Sequence, residues 1–115
     1  MELKYDHLVR WLRSGPLDRT VGKAGDALRC PIAEHLSSVY HRQVSVGCYF
    51  YGFEANYAEH KLPMWAQSFT LETDINQGSR YITAHRALEM LGEPTDEAYL
   101  VVVVQQGEAR CRQPR

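Results

Sequence analysis

A glycine-containing loop, Val21 to Arg29, runs into Cys30-Pro31, and apolar residues then recur at helical spacing: Ile32, Leu36, Val39 and Tyr40. Proline is tolerated in a helix only at its first turn, where the missing N–H would have no partner in any case. A helix must therefore begin at Pro31, and it is expected to end near His41-Arg42. The junction also places the Cys30 thiol at a helix N-terminus, where unpaired backbone N–H groups favour negative charge.

The rest of the chain can be read outward from this junction. Tyr5, Leu8, Val9 and Leu12 share one stripe, which predicts a helix over Glu2 to Arg13. Ser14-Gly15-Pro16 stops it, with Gly15 expected in the left-handed cap and Trp11 packing under the following loop. Gly22 and Gly25 bracket Lys23-Ala24, inviting comparison with a phosphate loop. The Walker spacing is absent and the lysine precedes the second glycine, so a plain turn is expected.

From Gln43 to Glu54 the period changes to two. Val44, Val46, Cys48 and Phe50 alternate with Ser45, Gly47, Tyr49 and Tyr51, predicting one β-strand with an even apolar face and an odd face bearing Tyr49, Tyr51 and Phe53. Pro63 opens a third helix running to about Ile75. Its expected inner face is Met64, Trp65, Ser68, Phe69, Leu71 and Ile75, with Glu72 intruding. Thr83 is a good N-cap for a fourth helix that buries Ala84, Ala87, Leu88 and Leu91 and ends at Gly92 and Pro94. Tyr99 to Val104 is apolar and β-branched, so it reads as a buried strand. Thr20-Val21 and Tyr81-Ile82 are candidates for short additional strands.

The expected fold is α+β: about four helices on a small two- to three-stranded sheet, in the order ααβααβ. Residues 1–106 form the single domain, and residues 107–115 a basic, flexible tail. A chain of 115 residues can bury a core without disulfides or metals. Three cysteines, with no CxxC spacing, argue for free thiols and a cytoplasmic setting. The longest apolar run is far too short to span a membrane. Net charge is −1, so no global field draws the chain to nucleic acid. The charge is nonetheless uneven, at +2 for residues 1–42, −5 for 43–97 and +2 for 98–115.

Two side chains carry catalytic potential. Cys30 gains it from its helix terminus, with His35, His41, His60 and His85 as possible bases, and Glu72 from an apolar setting that would raise its pKa. No partner at diagnostic spacing completes either set. No metal site or cofactor is expected. Tyr49, Tyr51 and Phe53 are the expected binding surface. The leading expectation is a small non-catalytic interaction or regulatory protein, self-associating as a homodimer through the Tyr49–Phe53 region. One alternative is a thiol-dependent enzyme using Cys30. Another is a single-stranded nucleic-acid-binding module that stacks bases on the aromatic strand face and uses the Arg110, Arg112 and Arg115 tail.

Overall fold

The computed structural model describes residues 1–56, 58–77 and 80–95. These form an α+β fold of four helices and two small antiparallel sheets. The expected strand Tyr99–Val104 and the basic tail lie outside the described residues.

Helix α1 (Tyr5–Leu12) buries Leu8 and Leu12. Gly15 does not take the left-handed cap expected of it, since positive φ occurs only at Gly25, Gly92 and His41 among the described residues. Instead the Arg19 guanidinium reaches back and donates to the Trp11 and Leu12 carbonyls at 2.8 and 3.1 Å. A cation on the last carbonyls satisfies groups that the helix itself cannot, and it opposes the negative end of the dipole. The same guanidinium lies 5.4 Å from the Trp11 ring, so Trp11 does pack beneath the following loop.

Strand β1 (Thr20–Lys23) follows, and it pairs antiparallel with β5 (Tyr81–Thr83), Lys23 opposite Tyr81. Both short strands read from the sequence are present, in a sheet of their own. Between β1 and helix α2 (Pro31–Tyr40) the backbone approaches closely. A Cβ on Gly22 would lie 2.5 Å from the Pro31 nitrogen and 2.7 Å from the Arg29 carbonyl oxygen. Only glycine fits there.

Helix α2 starts at Pro31 as read and packs against α1, β1 and strand β2 (Val44–Val46). Contact on several sides explains why its buried set is wider than one stripe: Ile32, Ala33, His35 and Leu36 are all inside. His35, which lies off the expected stripe, is therefore a core residue, whereas Val39, which lies on it, is exposed.

The stretch from Gln43 to Glu54 is a hairpin, not one strand. Strand β2 pairs with β3 (Phe50–Phe53), Val46 opposite Tyr51 and Val44 opposite Phe53. Gly47 donates to the Phe50 carbonyl at 2.8 Å and closes the turn. Residues directly opposite in an antiparallel pair share a face. Even positions on β2 therefore lie with odd positions on β3, and the alternation changes parity at the turn. Tyr51 enters the core, while Phe50 and Tyr49 become exposed. Strand β4 (His60–Lys61) completes this sheet.

Helix α3 (Met64–Gln77) shows the largest departure from the expected pattern. Its buried residues are Ala66, Phe69, Thr70 and Thr73, and Met64, Leu71 and Ile75 are exposed. The helix packs against α4, and of the expected face Phe69 is buried, joined by the smaller Ala66, Thr70 and Thr73. Helix α4 (Ala84–Met90) begins at the Thr83 cap, whose hydroxyl accepts from the Arg86 amide at 3.1 Å. It ends at Gly92 with φ 77°. Just beyond, Glu93 accepts from the Tyr5 hydroxyl at 2.6 Å and pairs with Arg13 at 3.2 Å, tying the end of α4 to α1.

Two outcomes follow. Gly22→Ala should cost roughly 1–3 kcal/mol or more in urea denaturation, because the clash is with backbone that cannot rotate away. Gly47→Ala, whose nearest neighbour would be the Phe50 oxygen at 3.6 Å, should be far milder; equal losses would contradict the close approach.

His35 supplies the second outcome. Its Nδ1 has no hydrogen-bond partner among the described residues, its ring lies 5.2 Å from Trp11, and burial, with a smaller contribution from His7, pushes its pKa down to about 4 from an ordinary 6.5. The unfolded chain then takes up the proton first. Stability should be full above about pH 6.5 and fall as pH drops toward about 4, by on the order of 3 kcal/mol. Urea melts of the wild type and His35→Phe across this range are the check; an identical pH slope in the two would remove His35 as the cause.

Candidate functional site

Most backbone amides from Lys23 to Cys30 have partners within the chain. Lys23 N–H donates to the Arg29 carbonyl at 2.7 Å and Ala24 N–H to the Arg80 carbonyl at 3.0 Å. Gly25 N–H donates to Asp74 Oδ1 at 3.1 Å, and Leu28 N–H to Asp26 Oδ1 at 3.0 Å. A phosphate cradle needs free, converging amides. Here these are spent, so the stretch is a structural turn, as its spacing indicated.

Cys30 is the N-cap residue of α2 and is 6% exposed. Burial pushes its thiol pKa up to about 11 from 9.0. The nearby Ile32 and Ala33 amides pull the other way without forming a capping hydrogen bond, and Asp74 and Asp26 push it further up. Desolvation outweighs the helix terminus, and the thiol is held protonated.

Two depressions meet at Cys48, the first reaching this loop and the second lying between the β2–β3 turn and α3. One, of about 180 Å³, is walled by Asp26, Cys30, Gly47, Cys48, Thr70 and Asp74. The other, of about 200 Å³, is walled by Cys48, Tyr49, Met64, Gln67, Ser68 and Leu71. Cys48, a free and exposed thiol at the hairpin tip, borders both. The second depression is a mainly apolar groove. Tyr49 is 62% exposed, Met64 76% and Leu71 58%, and Ile75 extends the same helix face at 69%. Met64, Ser68, Leu71 and Ile75 are spaced i, i+4, i+7, i+11, so they form one stripe along α3.

The structure separates the three aromatic residues of the expected binding surface. Tyr49 stands at the groove. Tyr51 is 5% exposed, with its ring 5.2 Å from that of His60. Phe53 is half-buried, edge-on to Tyr40 at 6.2 Å and with the Arg42 guanidinium 3.7 Å from its ring centre. Glu72 is half-buried, lines neither depression and makes no ion pair among the described residues. Among the described residues no histidine lines the depression at Cys30, whose charged neighbours are Asp26 and Asp74, and Glu72 lies in neither depression. Among the described residues no three His, Cys, Asp or Glu side chains converge as a metal site would require, and no helix is long and apolar enough to cross a membrane. Sequence reasoning missed the α3 face because its large apolar residues looked like core.

Comparison with models of known protein families, with curated proteins and with solved structures finds no match.

The two described thiols should differ sharply in reactivity. In a Cys111→Ser background, native-state alkylation by iodoacetamide near neutral pH should modify Cys48 at least about tenfold faster than Cys30. Rapid modification of Cys30 below pH 7 would show a thiolate there and contradict its burial.

Proposed function

We propose that this chain is a small non-catalytic interaction protein that acts through protein–protein contacts, and that two copies of it meet through the groove at Tyr49, Met64 and Leu71. The observation that carries the reading is the exposed apolar stripe on α3, continued by Tyr49 across the groove. Isolated exposed apolar residues are ordinary, but a contiguous row of large ones marks a contact surface.

A second copy suits the stripe. Two α3 helices crossing antiparallel near Ser68 would set Met64 of each against Leu71 and Ile75 of the other, an isologous arrangement. The small serine permits close approach. From Met64 to Ile75 the stripe runs about 16 Å, short for a permanent interface, so association in the micromolar range is the expectation. The contact thus moves from the Tyr49–Phe53 strand region expected from the sequence to the groove, and Tyr49 is common to both. The outer edge of β2 is engaged at Val46, whose N–H donates to the Ala27 carbonyl at 2.9 Å.

The thiol-enzyme alternative rests on a buried, protonated Cys30. The nucleic-acid alternative rests on an aromatic row whose members do not share an exposed face. Neither gains support from these placements.

Sedimentation equilibrium over about 5–100 μM should show a concentration-dependent approach to dimer mass, lost on Leu71→Glu. Leu71 is exposed, so circular dichroism should show the variant folded. A monomer mass throughout for the wild type, or a dimer indifferent to Leu71→Glu, would overturn the proposal.

A further inference from the structure

A different set of elements forms a third depression, a cleft of about 210 Å³, where the end of α1, strand β1, the start of α2 and strand β5 meet. Its walls include Trp11, Thr20, Lys23, Arg29, Glu34 and Tyr81. We infer that this cleft binds a small aromatic monocarboxylate carrying a hydrogen-bond donor on its ring.

The argument begins with two cations. The hydrogen bond from Lys23 N–H to the Arg29 carbonyl, 2.7 Å long, fixes the two residues side by side. Neither side chain forms an ion pair with a carboxylate among the described residues. Arg19, above the Trp11 ring, adds positive charge, but it spends its donors on the α1 carbonyls. Lys23 is half-buried and Arg29 exposed at the rim, so both side chains are open to an anion from solvent. Lys23 and Arg29 thus keep donors that the fold does not use, and a carboxylate accepts from both.

The remaining walls narrow the class. Tyr81 stands directly opposite Lys23 in the β1–β5 ladder, and its ring is 64% exposed with the Lys23 ammonium 5.7 Å from its centre. Trp11 borders the cleft with the Arg19 guanidinium 5.4 Å and the His35 ring 5.2 Å from its ring centre, so its faces are partly occupied. One exposed ring beside two cations suits a planar ligand with its charge at one end. The volume is below the roughly 300–1,000 Å³ of sites for drug-sized ligands, which limits the occupant to about one ring. Glu34 contributes the remaining restriction. It lines the cleft beyond ion-pair reach of either cation, so it repels a second negative charge and accepts from a donor on the ring. Phosphorylated nucleosides are disfavoured on both size and charge.

The test uses the whole chain and 4-aminobenzoate as probe, followed by ¹H–¹⁵N NMR at low salt. Saturable shifts should appear at the amides of Gly22, Lys23 and Arg29 and at the Trp11 indole N–H. A dissociation constant of about 1 mM or tighter fits a ligand of this size. Lys23→Met and Arg29→Gln should each weaken binding roughly tenfold, the loss expected for one charge-assisted contact. The neutral 4-aminobenzamide and the non-aromatic cyclohexanecarboxylate should not saturate. Absence of saturation by 4-aminobenzoate at about 10 mM, unchanged affinity in both variants, or equal binding of the amide would each overturn the inference. Because the amide comparison uses the wild type, the test does not depend on the variants folding. Leu71→Glu leaves this cleft untouched, so the outcome is separable from that of the dimer.

Discussion

The contact on which the described fold depends is backbone against backbone. Gly22 in β1 lies against the chain from Arg29 to Pro31, at a distance that no side chain could occupy. From that one approach several elements take their places. Lys23 can bond to Arg29, Pro31 can begin α2 under β1, and α2 can then reach both β1 and β2. The two sheets are not hydrogen-bonded to each other. Helix α2 is what joins them, and the missing Cβ is what lets it sit close enough.

Burial beats local electrostatics at the most conspicuous residue. A helix N-terminus lowers the energy of a thiolate, but removing an ion from water costs more than a partial charge returns. Cys30 is inside, so it stays protonated. The same penalty acts in the opposite sense on His35, which stays neutral against Trp11. Both residues carried chemical potential in the sequence, and the core takes up both. The groups left facing solvent are plainer ones: the apolar row on α3, the Cys48 thiol, and the Lys23–Arg29 pair. The proposed functions therefore rest on recognition and not on reaction.

Much of the fold was legible in the residues. Pro31, the Thr83 cap and the Gly92 stop mark their boundaries because each acts through its own backbone or through a neighbour within a few residues. Thr20-Val21 and Tyr81-Ile82 were readable as strands, although not as partners. The candidate site was far less legible. Phe69 was read correctly as inside, but Met64, Leu71 and Ile75 have the composition of a core stripe, and nothing local reveals that Ala66, Thr70 and Thr73 are buried in their place. Tyr51 was assigned to a surface because alternation through VSVGCYFYGF looks continuous, whereas the turn at Gly47 reverses which parity faces inward. Cys30 was visible as a helix cap, but its depth was not.

The sequence by itself determined where the helices begin and end, the α+β class, and the turn chemistry of Gly22 to Asp26. These are set by interactions a few residues long, fixed by covalent geometry and capping. The tertiary structure decided which face of each element is inside, which thiol is exposed, and which charges stand together without partners. Those outcomes depend on pairings far apart in the chain, such as Lys23 with Tyr81 and Tyr5 with Glu93, and no local pattern encodes the depth at which a residue comes to rest.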